Sequence, residues 1–511
     1  MHYGPVYIRK ENQLSIEEFK TPFQARLRAD NRWVVLSKVV PWDKFASAYM
    51  SMMRVDFGRP GINPRMILGA LIIKHLEGLD DRGVIAAIEE NVYMQYFVGL
   101  KEFTTEPIFD PSLFVEIRKR VGNELFDSLN ADLIKTVNEQ KDKRHNKKNK
   151  KKEGEDEPRN KGKMQADTTV ADQYITFPTD NRILNESRKK CEKLIDILYE
   201  KNGKLGVKPR TYRQTIDKAY LEYSKKKIKT KGTYRKMTRK LLECVNRDIK
   251  HIDRLLDEFE QKGEPFPLKH AEQRLFWIIR TAYMQQKVMY DTDTNSCQHR
   301  IVSIYQPHVR PIPRGKTKAQ IEFGSKLGVS YDEGFTRINT LSWDAYHESG
   351  DLIKQVEAYR ALHGHYPELV QIDKIYATRE NRKWLKERDI RITALPLGRK
   401  PIKTRETYYQ RKKTRKEAAE RNFIEGRFGQ GKNGYRLNEI RARLKATSES
   451  WVACIFFVMN LIHYEKVKFF GSTYRWLEGV LSEIWAILQP TEPKTRLVYV
   501  GIINPDWRII Y

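Results

Sequence analysis

Met164-Gln165-Ala166-Asp167-Thr168-Thr169-Val170-Ala171-Asp172-Gln173-Tyr174-Ile175-Thr176 is the stretch on which the fold turns. Its β-branched residues alternate around Asp167, and Phe177-Pro178-Thr179-Asp180 follows as a turn, so it reads as a pair of strands. An aspartate inside a strand is locally unfavourable, so Asp167 is either a bulge or edge residue or a functional one. Further along, Leu369-Val370-Gln371-Ile372-Asp373 is a short apolar strand that ends on an acid, and Ala377-Thr378-Arg379 opens a helix after it. In Glu420-Arg421-Asn422-Phe423-Ile424-Glu425-Gly426-Arg427-Phe428-Gly429-Gln430-Gly431-Lys432, helical spacing puts Arg421, Glu425, Phe428 and Lys432 close to one face. Taken alone, Arg421 and Glu425 read as an ordinary surface ion pair of little energetic weight.

The composition narrows the partners. Lys and Arg number 95 against 66 Asp and Glu, a net charge of +29, which points to a polyanion and above all to nucleic acid. The chain has 511 residues and is 40% hydrophobic, enough for two to four domains with real cores. The longest apolar run, Trp451 to Ile462, is too short to span a bilayer, and the start of the chain lacks the pattern of a secretion signal. The expectation is a cytoplasmic, nucleoid-associated protein with no membrane partner. Cys191, Cys244, Cys297 and Cys454 are too scattered for a disulfide framework or structural zinc.

Residues 1–135 read as an N-terminal helical DNA-binding domain. Within it Trp33-Val34-Val35-Leu36 is a strand or buried turn, and Asn63-Pro64 caps a helix. Two more short helices follow, as in a helix-turn-helix unit or any small bundle. One amphipathic helix runs from Asp110-Pro111 to Leu133. Residues 136–163 form a basic flexible linker, low in complexity from 141 on, and residues 164–184 are the first strands of the core. Residues 185–296 are a basic inserted helical hairpin, in which positions 201–240 carry fifteen Lys and Arg against two acids. Tyr212, Tyr220, Tyr223 and Tyr234, interleaved there, are candidates for stacking on bases or sugars. Residues 297–465 complete the core, with strands at 300–305, 307–313, 326–331, 369–373 and 391–394. A second basic run spans 399–416, and a buried helix at 451–464 and another helix at 472–488 follow. Residues 466–511 are a C-terminal helix and tail that ends in short strands.

An acid in the first strand, another at the end of a later strand and a third on a following helix is the arrangement of an RNase H-like core. The fold class is therefore α+β with an α/β core: an RNase H-like mixed sheet with flanking helices, interrupted by a helical insertion, plus the N-terminal helical domain. Three carboxylates suit hard divalent cations, which cleave phosphodiesters by activating the attacking oxygen and stabilising the leaving one.

The residues flanking these acids resemble those of DDE transposases of bacterial insertion sequences, in the IS-four/IS-five-like superfamily. The resemblance rests on Ala166-Asp167-Thr168-Thr169-Val170, Gln306-Pro307-His308-Val309-Arg310-Pro311 and Glu322-Phe323-Gly324-Ser325-Lys326. It continues in Ser342-Trp343-Asp344-Ala345-Tyr346, Ile372-Asp373-Lys374-Ile375-Tyr376 and the Arg421-x3-Glu425-x6-Lys432 signature. It implies that Asp167, Asp373 and Glu425 are the catalytic, metal-binding triad and that Arg421 and Lys432 lie at the DNA. It also implies two divalent ions, Mg2+ with Mn2+ as a substitute, and double-stranded DNA as partner, both terminal inverted repeats and target. The implied reaction is cleavage at the element ends followed by strand transfer from a 3′-hydroxyl, with no covalent protein intermediate, by a homodimer on DNA. The family's tyrosine three residues before the arginine is Ala418 here. The alternatives are a nuclease on the same core that cuts without joining, and a non-catalytic DNA-binding protein of transposase descent. His308 and Trp343 read as core residues more readily than as a general base or a base-stacking platform.

Overall fold

Strand β1 (Lys163–Asp172) is the axis of a mixed sheet. The computed structural model describes residues 19–22, 26–52, 62–148, 160–313, 321–394 and 408–487. Its two units are Met1–His463 and Tyr464–Tyr511; the described part of the second is helical, and all that follows concerns the first.

Among the described residues, seven helices precede the sheet: α1 (Arg32–Val39), α2 (Trp42–Met50), α3 (Pro64–Glu77), α4 (Asp81–Glu90), α5 (Val92–Val98), α6 (Leu113–Arg120) and α7 (Asn123–Lys148). Asn63 caps α3 as expected, its side chain accepting from the Arg65 amide, with Pro64 in the first turn. Trp33–Leu36, expected as a strand or turn, lies in α1, because Asn31 accepts from the Trp33 amide and starts a helix. The single helix expected over 110–133 is two, broken at Val121 and Gly122. Of the three helices expected to resemble a DNA-reading unit, α5 is buried along most of its length and has no face free to enter a groove. The low-complexity stretch starts inside α7; residues 149–159 lie outside the described part.

After β1 come four helices rather than a hairpin: α8 (Asp180–Lys201), α9 (Arg213–Lys225), α10 (Lys231–Gln261) and α11 (His270–Asp291). They enclose a core of their own, from Ile183 and Leu194 through Leu241 and Ile252 to Ile279. Thr179, placed in a turn by its sequence, caps α8. Of the four tyrosines expected on the surface here, only Tyr212 is exposed; Tyr223 is buried, and Tyr220 and Tyr234 pack against the helical core. Phenol rings at helical spacing went inward because the core needed their area.

The sheet then resumes with β2 (Arg310–Pro313), β3 (Ile321–Asp332), β4 (Phe335–Ser342), β5 (Leu369–Ile372) and β6 (Arg391–Ile392). Its order is β2-β3-β1-β5-β6, with β4 also on β3. The β1–β3 and β3–β4 pairs are antiparallel, and the β1–β5 and β5–β6 pairs parallel. The strand pair expected over 164–176 is therefore one strand with a neighbour on each side. Residues 300–305 form no strand; Ile301 and Ile304 are apolar because they pack against the helical insertion. Strand β4 was not anticipated. It follows a two-residue turn in which Glu333 (φ 46°) and Gly334 (φ 95°) both adopt positive φ, the geometry of a tight hairpin.

Helix α12 (Leu352–His363) covers one face of the sheet, packing Leu352 and Val356 on Met164, Ala166 and Val370. The other face carries α15 (Asn422–Gly434) and α16 (Lys445–Ile487), with Ile424, Phe428, Val452 and Phe456 on Ala171, Leu327 and Val329. Helices α13 (Arg379–Lys386) and α14 (Tyr408–Glu420) flank them. The helix read at 451–464 lies within α16, as do residues 472–487 of the one read at 472–488. The strands expected at 499–503 and 507–511 lie outside the described residues. The N-terminal helices reach the core through α16, where the rings of Phe45 and Phe126 lie 5.3 and 5.6 Å from that of Phe457.

Candidate active site

Parallel pairing between β1 and β5 stops at Ala166 opposite Ile372. The next residue in each strand is an aspartate, Asp167 in β1 and Asp373 after β5. Parallel strands that part at their carboxyl ends leave a crevice, the usual ligand position in such sheets. Asp167 remains paired through its backbone with Val329 of β3, and its Oδ1 accepts from the Thr168 amide at 2.8 Å. Asp373 caps a 3-10 turn, Lys374–Tyr376, its Oδ1 accepting from the Lys374 amide at 2.6 Å.

Burial pushes the Asp167 carboxyl up to about 6; the nearby carboxylates of Glu348 and Glu425 push the same way, while the Thr168 amide and Arg421 oppose them. Asp373 and Glu425 are more than half exposed. Between them stands the Arg421 guanidinium, 3.7 Å from Asp373 Oδ1 and 3.7 Å from Glu425 Oε1, at ion-pair rather than hydrogen-bond range. Of the three acids expected as a triad, Asp373 and Glu425 share Arg421, and Asp167, at the end of the neighbouring strand, feels the charges of Arg421 and Glu425. Among the described residues, no three His, Cys, Asp or Glu side chains are gathered closely enough to hold a metal as they stand. In donor type they fit a hard divalent cation: oxygen ligands only, one of them a buried carboxyl whose ionisation a neighbouring cation would favour.

The helix carrying Glu425 is not continuous with the basic helix before it. Helix α14 ends at Glu420 and α15 begins at Asn422, so Arg421 sits at the break. Arg421 still meets Glu425 at i and i+4, but the four residues expected on one face differ in burial: Glu425 is exposed, Arg421 and Lys432 are intermediate, and Phe428 is buried. Two glutamines that the sequence reading passed over hold the break. Gln165 donates to the Glu420 carbonyl at 2.6 Å and accepts from the Ile424 amide at 3.0 Å; Gln371 donates to the Glu417 carbonyl at 2.7 Å. They face each other in the β1–β5 register and are joined at 2.9 Å. A side chain inserted at a helix break satisfies the backbone groups the break frees. The signal was present: each amide lies in an apolar strand two residues before its aspartate. Gln165→Leu should orphan both backbone groups, at about 1–3 kcal/mol for each, and speed hydrogen exchange of the Ile424 amide at least about tenfold. Unchanged exchange there would show that the glutamines do not hold the junction.

Lys432 stands 3.2 Å from Glu322 Oε1 and 3.8 Å from Asp172 Oδ2, so it ties α15 to β3 and β1. His308 lies edge-on to Trp343 at 4.4 Å, and burial together with Arg310, Lys445 and Arg274 pushes it down to about 4, leaving it neutral. Trp343 is buried, its Nε1 donating to Glu449 at 2.8 Å. Both are structural in this arrangement. Exposed cations crowd two surfaces: Lys225, Lys226, Lys227, Lys229 and Lys231 on the insertion, and Lys412, Lys413, Arg415 and Lys416 on α14, the helix leading into the site. No described helix is long and apolar enough to cross a membrane.

Residues 21–120 match the family model described as "Transposase domain (DUF772)", and residues 370–462 match "Transposase DDE domain". The first stretch holds α1 to α6; the second holds Asp373 and Glu425, while Asp167 lies outside both. The chain is also 28% identical over 165 residues to "Uncharacterized protein ORF8 in nfe locus" of Rhizobium meliloti, covering 32% of this chain and 73% of that protein. No solved structure matches. The two domain matches support a DDE transposase, a DNA-processing enzyme of a kind that implies divalent-metal dependence.

Proposed function

We propose that this chain cuts the ends of a transposable element and joins them to target DNA by two-metal-ion phosphoryl transfer on an RNase H-like core. Asp167, Asp373 and Glu425 hold the ions, Mg2+ or Mn2+, which supply the activated oxygen nucleophile and stabilise the leaving oxygen. The observation carrying this reading is the pair of aspartates just beyond the last paired rung of two parallel strands, with Glu425 brought to the same crevice on α15. The order β4-β3-β1-β5-β6, antiparallel through β1 and parallel beyond it, supports the RNase H-like assignment.

Arg421 faces DNA phosphate once a metal takes over Asp373 and Glu425. Lys432, held at 3.2 Å by Glu322 and at 3.8 Å by Asp172, is the second cation of the signature that meets DNA. A Cβ at Gly426 or Gly429 would meet nothing within 4 Å, which leaves this part of the helix open to a phosphate backbone. The exposed lysines of the insertion and of α14 supply sequence-independent grip on terminal repeats and target. Two element ends joined in concert call for a homodimer on the DNA. The family lies within the IS-four/IS-five-like superfamily, on the Arg421-x3-Glu425-x6-Lys432 spacing.

The test is a strand-transfer assay with a pre-cut element end, a supercoiled target and Mg2+ or Mn2+. Joined product is the expected result. Cutting without joining would establish the nuclease instead, and tight binding with neither step would establish a non-catalytic binder.

A further inference from the structure

A fourth carboxylate reaches the crevice from the face of the sheet opposite α15. Glu348 opens a 3-10 turn, Glu348–Asp351, that leads into α12. Two contacts seat this turn. Asn381, buried, donates to the Ser349 carbonyl and to the Tyr376 carbonyl, both at 2.8 Å, joining the turn to the one that follows Asp373. Asp351 lies flat on the sheet, accepting from Thr340 Oγ1 at 2.9 Å. That approach requires Gly328, whose Cβ would come within 2.5 Å of Asp351 Oδ2.

Glu348 itself is mostly covered, at 19% side-chain exposure, and is held at 2.8 Å by the Lys326 ammonium. Its turn meets β3 at Gly328, whose partner in β1 is Thr168, the residue after Asp167, and the Glu348 charge raises the Asp167 carboxyl in the same sense as that of Glu425. This coupling through the sheet is available because β1 and β5 have already parted at Asp167. A second, independent feature points into the same space. Tyr376 is fully buried, yet its hydroxyl has no hydrogen-bond partner, and the charges acting on it most strongly are Glu348 and then Asp167. A fully buried hydroxyl with no partner, in the turn that Asn381 ties to that of Glu348, is a free donor for a bound oxygen ligand, such as a water carried in by a cation.

We infer that Glu348 is a fourth carboxylate of the divalent-metal centre, acting with Asp167, while Lys326 neutralises it in the metal-free protein. This rests on the reading of Asp167, Asp373 and Glu425 as metal ligands. The chemistry is that of a hard cation, which favours an additional oxygen donor over an ammonium counter-charge. Lys326→Met should then strengthen metal binding, because it removes the competing cation.

The experiment is Mn2+ titration of the full chain without DNA, followed by the electron paramagnetic resonance of free Mn2+, for wild type, Glu348→Gln, Lys326→Met and Asp167→Asn. Glu348→Gln should weaken Mn2+ binding about tenfold or more, Asp167→Asn should weaken it at least as much, and Lys326→Met should tighten it. If Asp167→Asn weakens binding and neither Glu348→Gln nor Lys326→Met changes it, the role of Glu348 is overturned and the triad stands. If Asp167→Asn also binds like wild type, the triad reading itself is wrong, and this inference falls with it. Should Glu348→Gln fold poorly, Lys326→Met decides alone: tighter binding supports the inference, and unchanged binding overturns it.

Discussion

Glu425→Gln and Asp373→Asn each abolish end cleavage and strand transfer while leaving DNA affinity within about twofold of wild type. Each substitution keeps the size of the side chain and removes one charged oxygen donor. Both side chains are more than half exposed, and their charged partner in the protein is Arg421 at 3.7 Å, so neither change disturbs a packed core. A metal ion contributes several kcal/mol of transition-state stabilisation, and every 1.36 kcal/mol is a factor of ten in rate. The expected loss is therefore on the order of 10³-fold or more in both steps, measured on labelled element ends under single-turnover conditions. Removing a carboxylate also lightens the negative charge facing DNA, so affinity has no reason to fall. Residual cleavage within tenfold of wild type in either variant would refute the assignment of that residue.

Asp81→Ala costs about 3 kcal/mol of stability, an effect that arises far from the crevice. Asp81, at the start of α4, pairs with two buried cations: Lys74 of α3, and Arg118 of α6 at 2.6 Å. Lys74 also lies 3.7 Å from the ring centroid of Trp451 on α16, and Arg118 5.2 Å from it. Burial, with Arg118 nearby, pushes Lys74 down to about 8, so the ammonium already carries a desolvation cost that Asp81 offsets. Removing the one carboxylate leaves two cations unpaired in a buried site, the case in which breaking an ion pair costs several kcal/mol. Asp81→Ala combined with Lys74→Met should recover part of the loss, because the second change removes one stranded charge. Desolvation pushes the Asp81 carboxyl up, but Arg118 and Lys74 outweigh it and hold the group below its ordinary value. Its contribution is thus present at neutral pH and lost as the pH falls through the folded-state value. Urea melts at pH 7 and in acid would read both effects; a single variant within about 0.5 kcal/mol of wild type would show that Asp81 is not needed there.

The three candidate acids stood out in the sequence because each breaks a local rule. Asp167 interrupts a β-branched strand, Asp373 ends an apolar one, and Glu425 stands in a glycine-rich helical stretch. Gln165 and Gln371 broke the same rule and were passed over, since an amide in a strand has meaning only once its partner is known. Here the partner is a helix break more than forty residues away in sequence from either glutamine. The face expected for Arg421, Glu425, Phe428 and Lys432 brought Arg421 and Glu425 to 3.7 Å at i and i+4, while Phe428 packed into the core beneath the sheet. Helical spacing fixes angles within one helix, and the two glutamines stabilise a break at Arg421. The insertion was read as helical from its periodicity, but its count of four helices, and the inward turn of Tyr220, Tyr223 and Tyr234, followed from packing.

By itself the sequence determined the basic character of the chain, the capped start of α3 and the strands around Asp167 and before Asp373, and it singled out three acids as candidates. These are properties of charge, capping and local periodicity, which short stretches carry alone. Only the tertiary structure decided that β1 lies between an antiparallel and a parallel neighbour and that pairing stops one residue before both aspartates. It also decided that Arg421 stands between two of the acids and that Glu348 approaches from the opposite face. Those facts depend on register and packing between segments as much as 259 residues apart, where Ile424 meets Gln165, and no local pattern specifies such distances.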